Sequence, residues 1–274
     1  MRKPFTVALL LIIPLVLLGF SGVSQALTLY DDFTVKPINP AKWSGSEGSA
    51  GPAAPNTESA RKLAKQQLYI TLTTWGRTDS NSGNAGTQSN RLGVTNPVPV
   101  TTIQADVTVK SVKVVGCTAN TTPTRSRAQV VGGFFNDGTS PGPGDRTGDI
   151  IAGTQSVRDS IQGDQIEAFI NRCTNAACTT FTTLAFQVFN ATWTKGVADT
   201  LRLEWDPAND RFIHTVNPGG VNEIIMLSYL VPDANAPVVN FKQVAASNSA
   251  ASCTAAPRAS AIMKALFDNV MLNP

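Results

Sequence analysis

The residues of this 274-residue chain with chemistry to offer are a scatter of acids, one histidine and four cysteines, and their spacing limits what they can do. Cleaving a glycosidic bond takes two carboxylates that converge on one site, one to attack or activate water and one to protonate. Asp164 and Glu167 are three apart, so on a strand they point to opposite faces. Glu204 and Asp206 do share a face, but Asp206 already opens the turn Asp206-Pro207-Ala208-Asn209-Asp210. The opposite face of that strand carries Leu201, Leu203 and Trp205 and reads as the core side. The pair is therefore read as ordinary solvent-facing charge. Glu167 is left as the one catalytic candidate, and a weakly supported one. His214 is the sole histidine, beside Phe212 on a strand, and no G-x-S-x-G elbow accompanies it. It is expected to be a surface or partly buried residue, and a histidine metal site is excluded by count.

Holding a sugar makes other demands: aromatic faces for the rings, amides and carboxylates for the hydroxyls. Gln165, Glu167, Phe169 and Asn171 alternate onto one face, opposite Ile166, Ala168 and Ile170. On the next strand Gln187 shares a parity with Phe181 and Phe189, opposite Leu184, Phe186 and Val188. If the two polar faces adjoin, they make a groove with aromatic walls. The competing reading is that these phenylalanines are core. Among the tryptophans, Trp43 and Trp205 look buried. Trp75 opens a polar loop and Trp193 follows a strand, which makes these two the stacking candidates. The expected ligand-binding set is thus Glu167, Gln187, Trp75 and Trp193.

The chain starts with Arg2 and Lys3, an apolar run from Val7 to Phe20, then Ser24 and Ala26. This is the pattern of a secretory signal peptide over residues 1–26, cut after Ala26. The run is shorter than the roughly 20 residues of a membrane span, although an uncleaved anchor is the alternative. No membrane insertion is expected after cleavage. The remainder, residues 27–274, has 20 basic against 19 acidic residues and no basic run. That balance argues against nucleic acid and anionic membrane as partners.

Export makes disulfides the default for the four cysteines. Three connectivities exist. Cys173 and Cys178 flank four residues, as at a hairpin tip, which leaves Cys117 with Cys253. In the chain-entropy picture the short loop contributes about 2 kcal/mol and the long one about 5 kcal/mol.

The elements that must position all this are strands. Thr, Val, Asn and Gly are abundant, and alternating segments recur every 8–15 residues. They are expected at 67–75, 101–115, 128–135, 149–157, 165–171, 181–189, 200–205, 211–216, 223–230, 241–246 and 262–272. Only Thr57 to Gln67 looks helical. Residues 76–90 and 136–148 read as long polar loops. Two apolar–acidic segments bracket everything: Leu29-Tyr30-Asp31-Asp32-Phe33 near the start and Ala265 to Leu272 at the end. Such segments suit first and last strands lying side by side.

The stretches Tyr30-Asp31-Asp32-Phe33 with Lys42-Trp43, Leu201 to Asn217 and Ala265 to Asn273 resemble the concanavalin A-like lectin/glucanase superfamily. The resemblance implies an all-β fold over 27–274, a single jelly-roll sandwich of two curved antiparallel sheets. It also implies carbohydrate binding, with a polysaccharide or glycan as partner. Glycoside hydrolase or lyase activity with a non-standard acid arrangement, and a non-catalytic structural or adhesive role, are the alternatives. The family's glucanases use an E-x-D-x-x-E strand motif, which is absent here. No cofactor is required. A structural calcium ion, as in many such sandwiches, would find oxygen ligands at Asp32 and Asp268, with Asp31 and Asn269 beside them. Asp137, Asp145 and Asp149 form a second acidic group. For both groups turn chemistry is the competing reading.

Overall fold

Alternation along the chain becomes two antiparallel sheets. The computed structural model describes residues 26–50 and 56–273; the apolar leader expected at the start lies outside the described residues. One sheet has nine strands. Its order is β14 (Glu223–Ser228), β13 (Arg211–Asn217), β12 (Ala198–Asp206), β7 (Thr102–Val115), β16 (Ser260–Leu272), β5 (Gln67–Trp75), β4 (Thr57–Ala64) and β3 (Gly48–Ala50), with β1 (Thr28–Asp31) also on β16. The other sheet has seven, in the order β11 (Phe181–Val188), β10 (Gly163–Cys173), β9 (Asp149–Asp159), β8 (Arg125–Asn136), β15 (Phe241–Ala251), β6 (Asn84–Val94) and β2 (Trp43–Ser44). The first and last strands do pair, Thr28 with Leu272 and Leu29 with Met271.

The core lies between the sheets, because each strand sends every second residue inward. Leu68, Ile70 and Leu72 of β5 meet Ile166, Ala168 and Ile170 of β10 and Val244 and Ala246 of β15 within one continuous cluster. Each large side chain so buried stabilises by about 1.5–3 kcal/mol. One end is aromatic: Phe134, Phe135, Trp205, Phe212 and Tyr229 contact one another with ring centroids 4.8–6.5 Å apart. Polar residues also cross the interior. The Asn248 amide donates to the Leu72 and Ala261 carbonyls on the opposite sheet, at 3.0 and 2.9 Å. Its carbonyl oxygen accepts from Ser126 at 2.7 Å, so the group is fully used.

Two expectations need correction. Thr57 to Gln67 is not helical. It forms β4 and a tight hairpin into β5, turned by Lys65 and Gln66, both at positive φ (52° and 61°). Good helix formers such as Arg61, Lys62 and Leu63 are overridden by pairing with a strand already fixed in the core. The loop expected at 76–90 ends early, since Asn84 onward belongs to β6. That strand carries no apolar alternation before Leu92, because its first half meets no core. Pairing with β15 holds it instead.

Candidate functional site

The outer face of the seven-stranded sheet carries a groove of about 970 Å³. Its floor follows from register. Residues paired directly across antiparallel strands share a face, so the sheet can be read in rows. One row runs Arg91, Ala245, Gln129, Gln155, Glu167. Beside it runs Gly93, Gln243, Val131, Gly153, Phe169, Phe186. On the other side lie Ser89, Ser247, Arg127 and Val157. Amides and guanidinium groups thus fill the middle, and phenylalanines rise at the β10–β11 end.

The aromatic wall depends on two glycines. The Phe169 ring fills the space over Gly153, where an added Cβ would strike it, and a Cβ at Gly133 would meet the Val239 carbonyl and the Phe241 ring. Phe181 and Phe186 complete the wall and stay half exposed, at 47% and 48%. Beside them the Asn171 Oδ1 and an Arg146 Nη have no hydrogen-bond partner.

Glu167 is on this face, as the alternation predicts, but it is fully buried. One carboxylate oxygen pairs with Arg125; the other accepts from Gln155 Nε2 at 2.7 Å. Arg125 also lies 3.1 Å from Asp159. Glu167 therefore serves as a counter-ion beneath the floor.

The other three expected ligand residues lie elsewhere. Gln187 pairs with Ala168, so it occupies the opposite face, while Phe186 pairs with Phe169 in the groove. A bulge at Leu184, where the register slips between Ile170 and Asn171, is the cause: one extra residue exchanges the two faces of β11 beyond it. Trp193 is 4% exposed, and its indole N–H is spent on the Val157 carbonyl at 2.9 Å. Trp75 ends β5 with the parity opposite to buried Leu72 and Thr74, which puts it on the outer side of the nine-stranded sheet. His214 is not a surface residue. It lies wholly buried between the sheets, 2.9 Å from the Thr154 hydroxyl, and burial pushes its pKa down to about 3.

The acids considered for calcium are taken up by turns and ion pairs. Asp32 accepts from the Thr34 backbone and hydroxyl, and Asp31 from Phe33 N and Trp43 Nε1. Asp268 accepts from Gln67 and Asn269 N, and Asn269 donates to Asp106. In the loop after β8, Asp137 holds Thr139 and Arg172, Asp145 holds Thr147, and Asp149 holds Arg146, Asn136 and the Val238 backbone. Among the described residues no three His, Cys, Asp or Glu side chains gather as a metal site would. Both cysteine pairs are joined, Cys117 with Cys253 and Cys173 with Cys178. The second lies at the rim, where Cys178 borders the groove.

Sequence reasoning missed Arg91, Arg125, Arg127, Gln129 and Gln155. The signal was present on β8 as the alternation Arg125, Arg127, Gln129, Val131. Starting that strand at Ala128 left the arginines out.

Two antiparallel sheets packed face to face, with first and last strands adjacent and a groove across one outer face, make a β-sandwich of the jelly-roll kind. No family model matches the chain, and no curated protein does either. Several solved structures are similar in fold. A GlcNAcα1-4Gal-releasing endo-β-galactosidase from Clostridium perfringens is 8% identical with a TM-score of 0.49, covering 91% of this chain and 63% of its own. Lectin I-B4 from Griffonia simplicifolia is 11% identical with a TM-score of 0.39, covering 89% and 98%. The CBM2 module of the evolved Dit protein of Lactobacillus casei BL23 phage J-1 is also 11% identical with a TM-score of 0.39, covering 92% and 99%. At such identities these likenesses concern the fold, and they bear on neither ligand nor reaction.

Proposed function

We propose that this protein binds a polysaccharide chain in the groove of the seven-stranded sheet. The supporting observation is the pairing of half-exposed Phe181 and Phe186 with a floor of Gln129, Gln155, Gln243 and arginine side chains. Phenyl faces cover the apolar faces of sugar rings, and amide and guanidinium groups meet the hydroxyls in the plane. Two disulfides suit an oxidising compartment outside the cytoplasm. No helix among the described residues is long and apolar enough to cross a membrane.

Binding without cleavage is the better-supported reading. Among the described residues the groove lining holds no Asp, Glu, His, Lys or Tyr, the side chains that general acid–base chemistry uses. To act, Glu167 would have to leave Arg125 and Gln155 and come up from beneath the floor.

The test is retardation of the purified protein in affinity gels containing a panel of polysaccharides, with Phe186→Ala alongside. At least one polysaccharide should retard the wild-type protein, and the variant should bind it about fivefold more weakly, the worth of one aromatic contact. Folded protein that no polysaccharide retards would sink the reading.

A further inference from the structure

The groove has charge of one sign. Arg91, Arg125, Arg127 and Arg146 line it, and no acid among the described residues does. Two of the four are already balanced from below. Arg125 faces Glu167 and Asp159, and Arg146 faces Asp149 at 3.2 Å. The other two have no ion pair among the described residues. Arg91 is exposed. Arg127 is half-buried and finds only the Ser249 hydroxyl, at 3.5 Å. Burial, and then the neighbouring Arg125, push its pKa down to about 10, so it stays a cation at neutral pH. Glu167 and Asp159 offset part of that burial without forming an ion pair with Arg127, and a ligand bringing an anion into direct contact would offset more.

Placement separates a polymer from a small ion. Arg91 on β6 and Arg127 on β8 flank β15, so their strands lie about 10 Å apart. Arg91 stands in the row of Gln129 and Gln155, Arg127 in the row on one side of it, and the row that ends at Phe169 and Phe186 lies on the other side. Two anion contacts on separate strands, with the hydroxyl-reading amides Gln129 and Gln155 beside them, suit a chain that carries both charges and hydroxyls. A nucleic acid fits less well, because residues 27–274 are nearly neutral and have no basic track to follow a phosphate backbone.

We propose that the polysaccharide held here is acidic, its sugar rings carrying carboxylate or sulfate groups that Arg91 and Arg127 receive. The proposal rests on the groove being a glycan site and names the class of glycan. The experiment titrates wild-type protein, Arg91→Gln, Arg127→Gln and Phe186→Ala with polygalacturonate, chondroitin sulfate, neutral galactomannan and polyphosphate. Arg91 is solvent-exposed, so its variant remains informative if Arg127→Gln unfolds the protein. Each arginine variant should weaken binding of an acidic polysaccharide about tenfold. Added salt should weaken it too, and neutral galactomannan should bind poorly. Preference for polygalacturonate over chondroitin sulfate, or the reverse, tells carboxylate from sulfate. Equal binding of neutral and acidic chains, unmoved by the arginine variants, overturns this inference and leaves glycan binding standing. Polyphosphate bound as tightly as the acidic glycans, with Phe186→Ala silent, shows a simple cation patch and also overturns it. Silence toward every polysaccharide removes the parent reading as well.

Discussion

Two buried basic side chains, His214 and Lys242, make stability depend on pH. Thr154 gives its one hydroxyl proton to the Arg202 carbonyl at 3.0 Å, so the His214 Nδ1 must be the donor to Thr154. Its Nε2 has no partner, and protonating it would leave a charge sealed in the core. Lys242 is 1% exposed; its ammonium donates to the Gly133 carbonyl at 2.8 Å and the Asn240 side chain at 3.1 Å, over the Phe134 ring. Burial pushes its pKa down to about 7. Both folded-state values lie below the unfolded ones, so the unfolded chain binds the extra proton. Stability therefore falls as pH drops from 10.5 to about 7 through Lys242, and again from 6.5 to about 3 through His214. Each slope is about 1.4 kcal/mol per pH unit. Urea unfolding across pH 4–10 should show both limbs, with His214→Gln flattening the acid limb and Lys242→Met the alkaline one. Variants that leave the two limbs unchanged would show that neither residue is the cause.

At the scale of elements, Asn248 on β15 is one of the polar contacts that tie one sheet to the other. Asn248→Ala removes two donors to Leu72 and Ala261 and strands the Ser126 hydroxyl. A loss of about 2–4 kcal/mol in urea unfolding is expected, with the urea dependence unchanged. A loss under 0.5 kcal/mol would refute the role. Much of this scale was legible beforehand. The strand at 67–75 matches β5 to the residue, and Ile103, Ala105, Val107 and Val109 are all core. These strands have one dry face, and a dry face leaves a period of two in the sequence. Where no dry face exists, as at Asn84 to Asn90, the period vanishes and so did the strand. The bulge at Leu184 was equally silent. An inserted residue carries no composition of its own, yet it moved Phe186 into the groove and Gln187 out of it.

For the whole molecule, the two disulfides close loops of very different length, spanning 136 and 5 residues in sequence. Cys117 and Cys253 are packed with Ala251 and Ala259 in a small cluster of their own. Replacing that pair by alanine should cost about 5 kcal/mol, against about 2 kcal/mol for Cys173 and Cys178. Thermal and urea unfolding of the two double variants measures the difference. Equal costs would mean that loop closure is not what the long bridge contributes.

By itself the sequence determined the all-β class, most strand positions, the inward face of strands such as β5, β7 and β10, and the side on which Glu167 would stand. These follow from local alternation and from turn residues, which any short window contains. Tertiary structure alone decided which strands adjoin. Arg91, Arg127, Gln155 and Phe186 belong to four strands spread over almost a hundred residues, and sheet register aligns them on one face. It also decided that Trp193 and His214 are sealed inside, that Trp75 faces away, and that Glu167 is neutralised by Arg125. Burial and pairing depend on what packs from elsewhere in the chain, and no local pattern records that.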